Sequence, residues 1–369
     1  MILSRAKINI LFISATWKRS YSNSNPLKEP LRIAYFGSDD FSVKSLDSLM
    51  NYKRNHPSKI ESVHVITRDM KPTGRNLKKL SKLPIAEYCS DHGIPLLRVD
   101  QKAQIEDLIT TQTFSLAIAV SFGLLIPGSF INSCSKGGIN IHPSLLPRYA
   151  GASPLQYALM NDDPYTGCTI QTLHPKHFDK GEIILQSEEV PILDNDNYVS
   201  LQKKMGKVGS EMLIKVIDED LLSNGSRLPS KYLPSKAPKI VRSANEINWE
   251  SYTSRNIKRL EDALGSLFTY MFVDITRNKK HIKEFQRVIL LDIRQISDHP
   301  EYEDLENNGQ FKLDDASSST SRLIAKTCSG FISVGKLKFQ ACNEESPYVF
   351  LSHLIKRTGS NDFQFTSKV

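Results

Sequence analysis

Two predominantly apolar runs, residues 31–36 (LRIAYF) and 114–120 (FSLAIAV), constrain this chain most. A strand that is apolar on both sides has to be covered on both sides. That condition is met by a largely parallel sheet with helices on its two faces. The residues between and after the runs supply such helices. Gly37 ends the first run, and Ser38-Asp39-Asp40 offers N-cap chemistry for a helix to about Met50. Residues 63–67 read as a second strand, and residues 84–92 as a helix stopped by Gly93. Gly137-Gly138 introduces a strand over 139–142, and a helix includes residues 155–160. Residues 166–174 and 182–190 alternate as an antiparallel pair, and 199–222 reads as a long amphipathic helix. This alternation predicts an open α/β sheet of Rossmann-like type, mainly parallel. The first turn, Gly37-Ser38-Asp39-Asp40, is not GxGxxG, so the dinucleotide fingerprint is missing.

The pattern changes near residue 226. Residues 226–240 hold Pro229, Pro234 and Pro238 with Lys231, Lys236 and Lys239, the composition of a stiff basic linker. Beyond it, Trp249 precedes a helix near 252–265. Short strands are expected at 268–273, 288–296, 323–327, 330–334 and 336–342. That spacing predicts a small β-barrel. Residues 298–320, rich in Asp, Glu, Asn and Ser, read as an exposed insertion. The expected organisation is a leader over 1–29, a catalytic domain over 30–225, a linker over 226–240 and a barrel domain over 241–369.

The leader reads as an address. Residues 1–28 contain no Asp or Glu but hold Arg5, Lys7, Lys18, Arg19 and Lys28 among five serines. An acid-free, Arg- and Ser-containing stretch has the composition of a mitochondrial presequence, and Arg19-Ser20-Tyr21-Ser22 resembles a matrix-protease site cleaving after Tyr21, which implies a matrix protein. A secretory signal with residues 8–15 as its apolar core and a leader without an address are the alternatives. No run of about 18 apolar residues occurs, so no membrane span is expected. The five cysteines include no CxxC pair. Reduced thiols are therefore expected, without a disulfide framework or a four-cysteine zinc site. A net charge of +8 permits an anionic partner without requiring one.

Candidate chemistry gathers in the first domain. Asn140 and His142 lie two apart on one strand, so they share a face at a strand end, where open α/β sheets bind ligands. An amide and an imidazole aimed at one point can stabilise an oxyanion and move a proton. A carboxylate is needed to orient the imidazole, and Asp179, on the turn Phe178-Asp179-Lys180-Gly181, is the best candidate. Taken singly, Asn-x-His is commonly a surface pair and Asp-x-Gly an ordinary turn. His174 and His177 flank Lys176 without a third ligand nearby, so no metal site is expected.

Four ordered segments carry a resemblance. They are Ser121-Phe122-Gly123-Leu124-Leu125-Ile126-Pro127, Asn140-Ile141-His142-Pro143-Ser144-Leu145-Leu146-Pro147-Arg148-Tyr149, Gly151-Ala152-Ser153-Pro154-Leu155-Gln156 and Phe178-Asp179-Lys180-Gly181-Glu182-Ile183. Together they resemble the folate-dependent formyltransferases, most closely the branch that acts on methionyl-tRNA. The basic loop Lys71-Pro72-Thr73-Gly74-Arg75-Asn76-Leu77-Lys78-Lys79 resembles that branch's inserted tRNA-gripping loop. Ile247-Asn248-Trp249 resembles the start of its OB-like C-terminal domain. Ala150 stands where most members carry Arg, and the segment 174–179 is one residue longer than the usual bacterial version, as in the mitochondrial branch.

The resemblance implies formyl transfer from 10-formyltetrahydrofolate to the α-amino group of methionine on initiator tRNA, with no metal. It gives catalytic roles to Asn140, His142 and Asp179. It places the folate against Phe122, Leu124, Ile126, Ser144, Leu145, Leu146 and Pro147, and tRNA phosphates on Arg75, Lys78, Lys79, Lys236 and Lys239. Further phosphate contacts are expected from Arg255, Lys258, Arg259, Arg277, Lys279, Lys280, Lys283 and Arg287. A monomer is the default expectation. The competing readings are a 10-formyltetrahydrofolate hydrolase, a formyltransferase for another amine, and a catalytically silent RNA- or folate-binding protein.

Overall fold

The computed structural model describes residues 29–368 apart from 71, 74–78, 81, 278, 297–299 and 316. The proposed presequence, Arg75 and Lys78 therefore lie outside the described residues. The first domain is built on seven strands in the order Ile183–Gln186, Thr169–Thr172, Gly138–His142, Leu116–Val120, Leu31–Gly37, Ile60–Thr67, Leu96–Arg98. The last five run parallel and the first two pair antiparallel. Neighbouring residues of the central strands go to opposite cores. Ile33, Tyr35, Ile118 and Ile139 join one buried cluster, whereas Ala34, Phe36, Ala117 and Ala119 join another. This two-sided burial is why the runs at 31–36 and 114–120 carry so few polar residues. The helices Asp40–Asn55 and Tyr198–Asp218 pack together over the first face. The long helix stops at Asp218, with a further turn at Leu221–Asn224, somewhat short of the single helix expected to Leu222.

The second domain is a five-stranded antiparallel sheet in the order Leu267–Arg277, Lys280–Ile296, Phe331–Phe339, Leu323–Lys326, Phe311–Leu313. The C-terminal segment joins its two edges. Tyr270 and Thr366 exchange backbone hydrogen bonds of 3.0 and 2.9 Å, while Phe365 N–H donates to Gly309 and Phe311 N–H to Phe363, both at 2.9 Å. The sheet thereby curls into a barrel-like shape around Trp249, Phe311 and Phe365, whose rings stack.

Three expectations for this half are corrected. The strands expected at 330–334 and 336–342 are one strand, Phe331–Phe339, running through Gly335. The hairpin strand begins at Lys280 rather than 288, because its first half is solvated and lacks an apolar run. Residues 298–320 are not wholly an exposed insertion: Leu305 and Phe311 are buried, and Phe311–Leu313 is a strand.

The domains meet at the helix Ser254–Leu264. Its Arg259 is 2% exposed and donates to the Asp162 carboxylate at 2.8 Å and to the carbonyls of Leu193 and Asp196 at 3.2 Å. Arg255 bonds Asp162 and Asp194, each at 2.8 Å, and its hydrogen bond holds the Asp162 carboxyl below the usual carboxylate range. Lys258 pairs with Asp262. Arg255, Lys258 and Arg259 are thus occupied by nearby carboxylates rather than free for phosphate, which corrects their assignment as nucleic-acid contacts. Lys283 faces Asp274 at 3.6 Å, Arg287 lies over the Phe268 ring, and Lys279 is exposed. The side chains of Arg277 and Lys280 are outside the described residues.

Candidate active site

The strand Gly138–His142 lies next to the switch from parallel to antiparallel pairing, and its alternation places the reactive pair. Ile139 and Ile141 enter the apolar core, and Asn140 and His142 share the opposite face. The register sets Gln171 directly opposite Asn140. The turn after Thr169–Thr172 then brings Asp179 back over this face. Asp179 adopts φ +51, a left-handed conformation that Asp tolerates better than most residues. Two residues on, the turn needs glycine: a Cβ at Gly181 would lie 1.7 Å from the Thr172 carbonyl oxygen.

Asp179 is the hub of the site. Its Oδ2 accepts the Gly151 N–H at 2.8 Å. Its Oδ1 accepts from Gln171 Nε2 at 3.2 Å and Asn140 Nδ2 at 3.4 Å, and lies 3.4 Å from His142 Nδ1. The His142 and Asp179 side chains are 6% and 8% exposed. His142 Nε2 sits 3.0 Å from the Tyr149 carbonyl oxygen. A carbonyl only accepts, so this contact places a hydrogen on Nε2 and turns Nδ1 toward the carboxylate. Gln171 is 2% exposed, and its Oε1 accepts the Gly181 N–H at 3.1 Å, fastening the Asp179 turn to the sheet. Sequence reading missed Gln171 because the signal is its register opposite Asn140.

Asn140, His142 and Asp179 open into one cavity of about 460 Å³, a size that accommodates a small organic ligand. Phe122, Leu124, Leu125 and Ile126 form one wall; Phe41, Pro154 and Leu155 lie in another. Asp39, Tyr198 and Gln202 add a polar rim that was not expected from sequence. Asp39 caps the helix Asp40–Asn55 by accepting the Ser42 N–H, and burial pushes its carboxyl above the ordinary range. Burial likewise raises the Tyr198 phenol. Among the described residues, no Lys or Arg lines the cavity.

Of the expected folate contacts, Phe122, Leu124 and Ile126 reach the cavity, and Pro143 joins them. Ser144, Leu145, Leu146 and Pro147 do not line it, which corrects their placement. Leu145 and Leu146 are buried apolar side chains, the Ser144 hydroxyl donates to the Arg148 carbonyl at 2.6 Å, and the Pro147 carbonyl accepts from Ser235 N–H at 3.2 Å. Lys236 and Lys239 are exposed. Lys79 lies in the short strand Lys79–Leu80. Among the described residues no group of three or more His, Cys, Asp or Glu could hold a metal ion, and no helix is long and apolar enough to cross a membrane.

Comparison with known proteins adds independent findings. Residues 31–217 match the family described as formyl transferase. The mitochondrial methionyl-tRNA formyltransferase of Saccharomyces cerevisiae is 30% identical over 92% of this chain and 93% of its own length. The mitochondrial methionyl-tRNA formyltransferase of Bos taurus is 30% identical over 72% of this chain and 65% of its own. Among solved structures, HypX from Aquifex aeolicus in complex with tetrahydrofolic acid superposes with a TM-score of 0.54 at 14% identity. That likeness covers 88% of this chain and 48% of HypX, and concerns the fold alone.

Proposed function

The chain belongs to the formyl transferase family, and within it to the methionyl-tRNA formyltransferases; from that premise we propose that it moves the formyl group of 10-formyltetrahydrofolate to the α-amino group of methionine on initiator tRNA, for mitochondrial translation initiation. The observation that carries this reading is the convergence of Asn140, His142 and Asp179 on one cavity beside an apolar wall. A folate suits that wall: Phe122, Leu124 and Ile126 offer apolar contact for an aromatic ring system, and Asn140, His142 and Asp179 line the same cavity. A HypX structure holding tetrahydrofolic acid supports a folate as the co-substrate class.

In the proposed mechanism the methionine amine attacks the formyl carbon. A C–N bond forms, and the carbonyl oxygen takes up negative charge. The Asn140 amide, now 3.4 Å from Asp179, donates to that oxygen. His142, oriented by Asp179 and with its Nε2–H held by the Tyr149 carbonyl, stabilises the charge; its Nδ1 takes up the amine proton and passes it to N10 of the folate as the C–N10 bond breaks. Donors set in advance around a developing oxyanion cost little reorganisation, and each typically contributes about 10²–10³ in rate.

The acceptor is polyanionic, and among the described residues no Lys or Arg lines the cavity, so its phosphate contacts are placed outside it. We assign phosphate contacts to exposed Lys236 and Lys239 and to the basic loop carrying Arg75, Lys78 and Lys79. The mitochondrial relatives and the acid-free leader support action in the matrix. Asn140, His142 and Asp179 come from a single chain, which supports a monomer as the working unit. The test is formyl transfer by the full chain, with 10-formyltetrahydrofolate as donor. Methionyl-initiator tRNA, uncharged tRNA and free methionine would be compared as acceptors. Formyl label on the charged tRNA alone is expected; label on free methionine, or on no acceptor, would overturn the reading.

A further inference from the structure

The linker enters the site. Residues 235–237 run alongside the loop 147–153 as an added strand, with Lys236 in parallel register with Ala150. Ser235 N–H donates to the Pro147 carbonyl at 3.2 Å, and Ala150 N–H donates to the Ser235 carbonyl at 3.0 Å. Ala237 N–H donates to the Ala150 carbonyl at 2.8 Å, and Ser153 N–H to the Ala237 carbonyl at 3.1 Å. The Ser235 hydroxyl accepts the Tyr149 N–H at 2.9 Å. The segment alternates as a strand does: Ala237 is fully buried, while Lys236 is exposed.

The braced loop holds the catalytic groups through its backbone. The Tyr149 carbonyl meets His142 Nε2, and the Gly151 N–H meets Asp179 Oδ2. Both residues have uncommon conformations, with φ +57 at Tyr149 and +136 at Gly151. Such conformations persist only where surrounding contacts over-determine them. Here the surrounding contacts come from the linker. A Cβ at Gly151 would lie 2.3 Å from the Ala237 carbonyl oxygen, so the approach is as close as backbone permits.

We infer that the linker segment 235–237 is a positioning element of the active site, and that Ser235 is a positioning residue for His142 and Asp179, acting through Tyr149 and Gly151. Ser235 touches neither substrate nor the reacting atoms. Its hydroxyl fixes the Arg148–Tyr149 peptide; the Tyr149 carbonyl lies in the next peptide and the Gly151 N–H in the one after. This inference rests on the catalytic reading given above and adds to it a residue outside the catalytic domain proper.

The test compares Ser235→Ala with Ser235→Thr, which keeps the hydroxyl, in the full chain. For Ser235→Ala, kcat for formyl transfer falls about tenfold while KM for folate and for methionyl-tRNA stays within about twofold. The pH profile of kcat shifts, and Ser235→Thr restores both. A raised KM for tRNA at unchanged kcat would overturn the inference, because the linker would then act only as a phosphate contact. A lowered Tm at unchanged kcat would overturn it too, leaving a merely structural role. The brace is also read without turnover by hydrogen exchange at the Gly151 amide, which Asp179 protects. Exchange about tenfold faster in Ser235→Ala is expected, and unchanged exchange refutes the brace even if the wild-type chain transfers no formyl group.

Discussion

Replacing Asp179 by Asn tests the electrostatics of the site with almost no change in volume. The carboxylate lies 3.4 Å from His142 Nδ1. At an effective dielectric of about 20, a unit charge pair at that distance is worth about 5 kcal/mol, or roughly 10³–10⁴ in rate if the imidazole is charged in the transition state. The amide introduces a second difficulty. Asp179 accepts from Gly151, Gln171 and Asn140, so a carboxamide can satisfy some of these donors only by turning its own NH₂ on others. Binding of the folate depends mainly on the apolar wall and is spared. The expected outcome for Asp179→Asn is a kcat lower by about 10³–10⁴, with KM for the folate changed less than about threefold. Steady-state formyl transfer measures both, and thermal unfolding confirms that the variant is folded. A folded variant with kcat within tenfold of wild type would refute the argument.

Four further perturbations probe other parts of the molecule. Arg259→Ala leaves Asp162 short of a partner and takes a donor from the carbonyls of Leu193 and Asp196, so chemical denaturation should show a loss of about 3–5 kcal/mol. Arg255→Ala, nearer solvent, should cost only about 1 kcal/mol. Because the Asp162 carboxyl is held below its ordinary range, the stability it lends is complete above the unfolded value of about 3.9 and is lost as pH falls through the lower folded value. Asp162→Asn should flatten that acid limb, and an identical pH–stability curve would contradict the assignment. Lys236→Ala with Lys239→Ala should make the slope of log affinity for tRNA against log salt shallower by about 1.5, from two lost phosphate contacts. An unchanged slope in filter binding would remove both lysines from the interface.

The sheet was legible in the sequence because its central strands are apolar on both faces, a pattern that leaves few alternatives. The site was legible where spacing carries geometry: Asn140 and His142 had to share a face once residues 139–142 formed a strand. It was illegible where geometry comes from register or from distant backbone. Nothing local marks Gln171 as the residue opposite Asn140, or Ser235 as a partner of the loop 147–153. Burial also misled in one place. Leu145 and Leu146 stand in a motif that resembles a ligand-binding one, yet their side chains are spent on the core. Arg255 and Arg259 were misread for a related reason: charge is visible in sequence, but their partners Asp162 and Asp194 lie more than 60 residues away. The hairpin from Lys280 carries polar residues on its solvated half and so lacked the apolar signal of a strand.

The central claim is that the cavity passes the formyl group to an amine carried by tRNA rather than to water. A single-turnover reaction with formyl-labelled 10-formyltetrahydrofolate, run with and without methionyl-initiator tRNA, tests it most directly. The account predicts label on the tRNA when the charged acceptor is present and almost no free formate when it is absent. Formate released at a similar rate with or without the acceptor would contradict it, and would make the same three residues the machinery of a hydrolase.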